Sequence, residues 1–415
     1  VSIIVQKYGG TSVADADRIR AVADRIVRYR ENGHDVVVVV SAMGDTTDDL
    51  LMLAQEISPV PEPRELDMLL TAGERIAMSL LAIAVNARGC RAASYTGSQA
   101  GIITDTRHGQ AKIVEIRPKR IRESLEAGNV VIVAGFQGLS TNYDITTLGR
   151  GGSDTTAVAM AAALGAEVCE IYTDVDGVFT ADPRVVRTAR RIDRISYEEM
   201  LELAAAGAKV LQSRSVEYAR RTGVRVHVRS SFTDEPGTWV VGEEQDVEVG
   251  MEAALISGVA LDDTEAKVTL EQVPDRPGVA ATIFKAVAAE AVNVDMIVQN
   301  VSHQGTTDLS FTIPRDEVPR VESVLERIVK EIGAPRYTVD EQIAKVSLVG
   351  AGMKSHPGVA ADMFEALSEQ GINIEMISTS AIRISCVVRA GDAERAVRAI
   401  HTRFGLDGEA PRAEG

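Results

Sequence analysis

The stretch Ile3-Ile4-Val5-Gln6-Lys7-Tyr8-Gly9-Gly10-Thr11-Ser12 decides how the chain is read. Its β-branched start is that of a short buried strand. The Gly-Gly pair lets consecutive backbone N–H groups come close to an anion. Thr11 and Ser12 supply hydroxyls and are the expected N-cap of a following helix, whose positive end favours phosphate. Lys7 adds a full positive charge. These features describe a nucleotide-phosphate cradle without a Walker P-loop. A Gly-Gly turn taken alone is better read as a plain strand–turn–helix with a surface lysine.

Working outward, residues 1 to about 248 alternate short aliphatic strands with helical patterns. Val36–Val40 runs into Ser41-Ala42-Met43-Gly44, Val130–Ala134 into Gly135-Phe136-Gln137-Gly138, and Glu170–Thr173 into Asp174-Val175-Asp176-Gly177. Helices are expected over Ala14–Arg30, Arg64–Arg88, Thr155–Leu164 and Tyr197–Thr222. This alternation implies an α/β domain with a mostly parallel sheet covered on both faces. Ligands bind such sheets at the carboxyl ends of the strands, where these Gly- and Ser-bearing loops gather.

Composition narrows the function. A chain of 415 residues calls for two or three domains. A formal charge of −16 disfavours nucleic acid and anionic membranes as main partners. Cys90, Cys169 and Cys386 are far apart with no CxxC spacing, which suits a reducing cytosol. The six histidines are scattered, so no dedicated metal site is expected. The longest β-branched run, Val36–Val40, is too short to cross a bilayer. The chain opens directly on a strand, leaving no room for a signal peptide, and Val1 stands where a GTG start codon read literally would put it. A soluble, cytoplasmic protein is expected.

The C-terminal part contains a repeat. Pro277-Gly278-Val279-Ala280-Ala281 recurs 80 positions later as Pro357-Gly358-Val359-Ala360-Ala361. The same shift carries Asn293 onto Asn373 and Met296-Ile297 onto Met376-Ile377. Similar strands precede the two copies, Lys267–Leu270 and Lys345–Leu348. Each unit reads strand, Pro-Gly turn, helix, strand, strand, helix, strand, the ferredoxin-like α+β order. The acidic stretch Gly242–Gly250 is the expected linker.

The densest motif is Thr147-Leu148-Gly149-Arg150-Gly151-Gly152-Ser153-Asp154-Thr155-Thr156. Glycines and hydroxyls at a helix start make a second anion-binding nest, and Arg150 can grip a carboxylate through its guanidinium fork. Asp154 cannot bind an anion. It serves either as a helix cap or as the holder of Lys7 or of a metal–nucleotide complex.

Together KYGGTS, SAMGDTT, TAGE (Thr71–Glu74), GRGGSDTT and YTDVDGVFTADPR (Tyr172–Arg184) resemble the aspartokinases, in family order over essentially the whole chain. The repeated modules resemble that family's paired ACT domains. The resemblance is to the monofunctional actinobacterial type, without a fused homoserine dehydrogenase. It implies an amino-acid-kinase αβα sandwich over 1–248, followed by ACT modules over 249–340 and 341–415, with segment 251–262 able to pack with the second. The implied reaction is ATP-dependent phosphorylation of the aspartate side-chain carboxylate, opening lysine, threonine and methionine synthesis. A carboxylate is already ionised at neutral pH, so positioning and charge neutralisation should dominate.

By the same resemblance, Lys7 contacts the transferred phosphoryl and Asp154 orients Lys7. Tyr8, Gly9, Gly10 and Ser41 line the phosphate site, and Thr173, Asp174, Phe179, Arg184 and Lys209 take the rest of the nucleotide. Phe179 stands where tyrosine is common. Arg150 holds a substrate carboxylate and Glu74 the ammonium, with Thr47, Gly151, Gly152 and Ser153 beside them. Read blandly, Glu74 is a solvated residue favoured by a helix dipole. Mg²⁺ is expected to arrive with ATP, held by phosphates and water. Effector residues would be Asp275, Pro277, Gly278, Val279, Asn293, Val294 and Gln299 in the first module, and Val359, Ala360, Asn373, Ile374, Ser380 and Ala381 in the second. Asp275 faces Ser355 across the repeat, which favours an effector ammonium at the first site. Ala381 replaces a glutamate often seen in relatives, so threonine is the expected effector, with or without lysine. Self-association through the ACT modules is expected, and a regulatory subunit from an internal start near Met251 is a further family feature. Competing readings are a kinase for glutamate or N-acetylglutamate on the same fold, and an amino-acid sensor on a dead kinase.

Overall fold

The computed structural model describes residues 2–242, 256–300 and 305–408. Val1, Met251 and most of the linker, 243–250, lie outside them, and the side chain of Ser355 is not described. The chain divides into two compact units. The first comprises residues 1–178, 191–204 and 209–250, and the second 179–190, 205–208 and 251–415. Two short pieces of the stretch assigned above to one kinase domain thus pack with the C-terminal modules.

In the first unit an eight-stranded sheet runs Arg194–Ser196, Thr238–Val241, Val226–Ser230, Val168–Thr173, Ile3–Tyr8, Asp35–Val40, Val130–Ala134 and Ala92–Tyr95. All neighbours are parallel except Val226–Ser230 with Thr238–Val241. Val36 to Val40 are buried on both faces, as a central parallel strand requires. Register sets the site. Tyr8 pairs with Val40 and Tyr172, Val40 with Ala134, and Thr173 with Ser230, so the strand ends line up along one edge. A smaller four-stranded sheet, Ile113–Ile116, Ile102–Thr104, Gln137–Ser140 and Ile145–Thr147, leads into the GRGGSD loop.

Helix Gly152–Leu164 is buried nearly all round, and its small residues let it lie close to the sheet. Helix Pro63–Asn86 has the length and apolarity of a membrane span. Here it is a core helix, burying Leu70, Ala77, Met78, Leu81 and Val85. Two local expectations fail. The helix after the KYGGTS loop is capped by Asp15, whose carboxylate accepts from the Arg18 N–H at 2.9 Å, while Thr11 and Ser12 form a 3₁₀ turn. The stretch Tyr197–Thr222 is two helices, Tyr197–Ala205 and Ser213–Thr222. Gly207, at φ +107°, breaks it with a backbone conformation that favours glycine.

The second unit contains two four-stranded antiparallel sheets. One orders Ile297–Gln299, Thr306–Pro314, Glu265–Pro274 and Arg336–Asp340; the other orders Gly258–Asp262, Ile343–Val349, Arg383–Arg389 and Met376–Thr379. The first module follows the expected order. The second does not end on its own strand, because its fourth strand, Gly258–Asp262, comes from before the first module. Residues 179–190 pack here as well. The Val259 N–H donates to the Thr180 carbonyl at 2.7 Å, and Thr180 Oγ1 meets the buried His401 Nε2 at 2.9 Å.

The repeat appears as crossed ion pairs. Lys345 lies 2.7 Å from Glu265 and 2.5 Å from Asp295 of the other module, and Lys267 reciprocally bonds Glu375. Met296 and Met376, equivalent in the repeat, share an apolar cluster with Ile343 and Val387. Burial opposes the charge on Lys345, but the Glu265 and Asp295 carboxylates outweigh it and raise its pKa. Lys345→Met should therefore strand the buried Glu265 carboxylate, costing about 3–5 kcal/mol. A clearly lower melting temperature is expected, partly restored by adding Glu265→Gln and Asp295→Asn. A parental melt for the single variant would remove the cluster from the forces joining the modules.

Candidate active site

Lys7 and Asp154 meet at the carboxyl edge of the first unit's sheet. Alternation along Ile3–Tyr8 sends Lys7 to the face covered by helix Gly152–Leu164, whose first turn carries Asp154. Lys7 Nζ is 2.6 Å from Asp154 Oδ1, with both side chains largely buried. Gly9 lies beside that ammonium, since a Cβ there would stand 3.5 Å from it, an ordinary contact distance.

The neighbouring loops lock onto one another. The Gly44 N–H donates to the Gly10 carbonyl at 3.0 Å, and the Ser41 N–H to the Tyr8 carbonyl at 3.1 Å. A Cβ on Gly10 would fall 2.8 Å from the Gly44 carbonyl oxygen and 2.9 Å from that of Ala42, so only glycine fits. Ser41 and Thr47 are half-buried beside this contact. Gly73 lets helix Pro63–Asn86 approach Ala42, since a Cβ there would come within 2.7 Å of the alanine Cβ.

That approach delivers Glu74 to the loop. Glu74 is 3% exposed, and its Oε1 accepts from the Ala42 N–H at 3.3 Å. Its Oε2 is buried and has no hydrogen-bond partner. Burial pushes the carboxyl up to about 7, against the lowering effect of its backbone hydrogen bonds. A half-satisfied buried carboxylate of this kind is costly alone and suited to a cationic ligand group.

On the far side Gly151, at φ +70°, starts helix Gly152–Leu164, and a Cβ there would overlap Gln212. Ser153 is buried against Gly135. Arg150 is exposed, and no ion pair engages it among the described residues. Lys7, Gly9, Gly10, Ser41, Glu74, Asp154 and the GRGG loop thus share one edge of one unit. Tyr8 does not join them through its side chain. It is fully buried, stacked on Tyr172 with centroids 4.8 Å apart, and only its backbone is available to a nucleotide.

Of the other nucleotide residues, Thr173 is half-buried and bonds Asp174, while Asp174 and Lys209 are exposed. Phe179 and Arg184 pack within the second unit, where Arg184 pairs with Asp182 at 2.7 Å. Among the described residues no cluster of three or more His, Cys, Asp or Glu side chains is placed to hold a metal ion. In the first ACT module, Asp275, Pro277, Gly278, Val279 and Gln299 line one hollow of roughly 510 Å³, at the start of helix Val279–Ala289. Asn293 and Val294 lie outside that lining. In the second module Val359 is buried, Ala360 and Ile374 are half-buried, and Asn373, Ser380 and Ala381 are exposed.

Sequence reasoning missed a polar network on the opposite face of the sheet. Glu170 accepts from Gln6 Nε2 at 2.9 Å, Tyr29 Oη at 2.8 Å and Tyr172 Oη at 3.1 Å. A carboxylate inside a strand that is otherwise core was the available signal.

The sequence model of the amino acid kinase family matches residues 2–230, and ACT-domain models match 268–333 and 346–404. Over 412 residues the chain is 59% identical to the aspartokinase of Mycolicibacterium smegmatis, covering 99% of this chain and 97% of that one. The chain belongs to the aspartokinase family. The aspartate kinase of Pseudomonas fluorescens is 52% identical over 416 residues, covering all of both chains. The structure of Escherichia coli aspartokinase III with aspartate and ADP superposes with a TM-score of 0.81 at 28% identity, covering 97% of this chain and 99% of that one. The same enzyme with lysine and aspartate gives 0.74. The enzyme is accordingly an aspartate kinase with an amino acid kinase domain and two ACT domains.

Glu74 yields a pH prediction. An ammonium is bound by the carboxylate, which forms above about 7 in the free enzyme. The kcat/KM for aspartate should therefore fall as pH drops below 7, roughly tenfold per unit, with a weaker effect on kcat. Glu74→Gln should lower kcat/KM and abolish that limb. A profile that stays flat down to pH 5.5 in the parent enzyme would exclude Glu74 from aspartate binding.

Proposed function

We propose that the enzyme transfers the γ-phosphoryl group of ATP to the side-chain carboxylate of L-aspartate, in the cytoplasm, under amino-acid control by its ACT modules. The observation that carries this reading is the buried Glu74 carboxylate, whose Oε2 lacks a partner. An acceptor with a free ammonium completes it, whereas an N-acetylated amino acid would not. The same edge carries an intact Lys7–Asp154 pair, which argues against a dead kinase.

In this mechanism Glu74 takes the ammonium and Arg150 the α-carboxylate, with Thr47 and Ser153 donating hydroxyls. The backbone of Gly9 and Gly10 and the hydroxyl of Ser41 cradle phosphate oxygens. A side-chain carboxylate oxygen attacks the γ-phosphorus, an O–P bond forms, and the bond to the β,γ-bridging oxygen breaks to release ADP. No proton need move. Lys7, held by Asp154, meets the charge shifting across the phosphoryl oxygens, and electrostatic stabilisation there is the main catalytic term. Within the first unit, Thr173, Asp174 and Lys209 are the further nucleotide residues of this reading; Phe179 and Arg184 belong to the second unit. Mg²⁺ would come with the nucleotide, neutralising phosphate charge. The product, 4-phospho-L-aspartate, opens lysine, threonine and methionine synthesis.

Lys7→Ala should lower kcat by roughly 100- to 1,000-fold, with a smaller change in the aspartate KM, as measured by coupled ADP release. Near-parental turnover would remove Lys7 from catalysis.

For regulation, the hollow lined by Asp275, Gly278 and Gln299 is the proposed effector site. Threonine is the proposed ligand, with or without lysine, its ammonium on Asp275 and its carboxylate at the helix start. Self-association through the ACT modules belongs to the same reading. Asp275→Ala should raise the threonine concentration for half-inhibition by roughly 10- to 100-fold, the worth of a charge-assisted bond, with uninhibited turnover unchanged. Ser355→Ala should do less. Equal effects, or a parent enzyme indifferent to amino acids, would overturn the asymmetry.

A further inference from the structure

Seven residues before Glu74, on the same buried face of helix Pro63–Asn86, lies Asp67. It is 1% exposed, and the reaction as described makes no use of it. Its Oδ1 accepts from Thr147 Oγ1 at 2.6 Å and from the Gly109 N–H at 3.1 Å. Its Oδ2 accepts from His108 Nδ1 at 2.7 Å. A carboxylate oxygen accepts, so the His108 tautomer that fits this contact bears its hydrogen on Nδ1. These contacts all end on the chain that supports Arg150. Thr147 is the last residue of its strand, three before Arg150, and its carbonyl accepts from the Ala111 N–H at 2.9 Å. Gly149 sits at φ +77° so close to Gly109 that a Cβ would lie 3.0 Å from the Gly109 carbonyl oxygen. Arg214 clamps the same junction, donating to the carbonyls of Leu148 and Ala111 at 2.7 Å each.

One helix therefore presents Glu74 to the substrate and, two turns earlier, anchors the loop of Arg150. A helix is stiff along its axis, and residues seven apart share a face. The spacing between the ammonium acceptor and the carboxylate grip is thereby set by a rigid element and not by a free loop. We infer that Asp67 is a positioning residue for the aspartate clamp: through Thr147 and Gly109 it fixes where Arg150 stands relative to Glu74. This rests on the reading of Arg150 and Glu74 as the groups that hold the amino acid. His108, Gly109 and Thr147 supply Asp67 with its hydrogen bonds, so the buried carboxylate is satisfied without drawing on Arg150.

The test is a double-mutant cycle on the full chain, with melting curves to confirm folding. Asp67→Asn should raise the aspartate KM roughly 10- to 100-fold, as small misplacements of a binding group do. The ATP KM and kcat should stay within about twofold, the signature of lost substrate binding. Arg150→Ala should raise the aspartate KM as well, and the double variant should be little worse than Arg150→Ala, since both act through one group. Thr147→Val should follow Asp67→Asn, whereas Thr147→Ser, which keeps the hydroxyl, should restore the parental KM. Should Asp67→Asn fail to fold, the Thr147 pair decides alone. Additive losses, equal damage to both KM values, or a parental KM in Thr147→Val would overturn the inference. A parental aspartate KM in Arg150→Ala would instead overturn the clamp reading on which it stands.

Discussion

The first unit is organised around one short ion pair, Lys7 with Asp154. On the proposed reading, in which Lys7 meets moving phosphoryl charge, the lysine must be charged, aimed and not free to fold away. Pairing it with a buried carboxylate achieves this at little net gain in stability, because desolvation offsets most of the attraction. The pair is possible only because helix Gly152–Leu164 is built from small residues and lies close against the strand bearing Lys7. It also needs the parallel register that ends Tyr8, Val40, Ala134 and Thr173 at a common edge. The glycines at 10, 73 and 151 follow from close packing around that edge, each standing where a side chain would displace a neighbour.

The second unit, with the two ACT domains, is held by a different logic. Its second module takes a strand from upstream, so the first module is an insertion within the second. Neither is a simple tandem bead. The crossed bridges of Lys345 and Lys267 follow from the repeat itself. Two copies related by an approximate two-fold must contact one another reciprocally, as residue i to j and j to i. The bridges differ in burial, with Lys345 fully inside and Lys267 partly open. The two halves therefore have unequal surroundings, in keeping with the unequal Pro-Gly turns that carry Asp275 and Ser355.

Much of this was legible in the sequence, and the failures have physical causes. Strand cores, the GRGGSD helix and the ACT repeat announce themselves through local pattern, because burial on both faces or a helix start dictates residue type directly. For Tyr8 the sequence does not say which part of the residue faces the phosphate loop; strand alternation sends its side chain to the opposite face from Lys7 and leaves its backbone at the loop. The break at Gly207 was hidden by a helical pattern that runs on either side of it. Asp67 could not be found from sequence, since its partners Gly109 and Thr147 lie 42 and 80 positions away. The second module's borrowed strand, Gly258–Asp262, is not signalled by the repeat itself and was suggested only by the family resemblance, through segment 251–262. A repeat read linearly suggests that each copy closes on itself.

The strand Ile3–Tyr8 shows why so polar a segment can occupy the middle of a buried sheet. Gln6, Lys7 and Tyr8 are consecutive, yet each has a dedicated partner. Gln6 bonds Glu170, Lys7 bonds Asp154, and Tyr8 stacks on Tyr172 while its hydroxyl donates to Gln6. Because side chains alternate across the sheet, a slip of one residue would send Lys7 to the face of Glu170 and its tyrosines, and Gln6 and Tyr8 toward Asp154. Asp154 would then lose its cation, and the Tyr172 ring its stacking partner. Buried groups left unpaired in this way are expensive, so the polar strand penalises every register but one. The Lys7–Asp154 pair on one face, and the Gln6–Glu170–tyrosine network on the other, thereby specify the alignment of the strand ends.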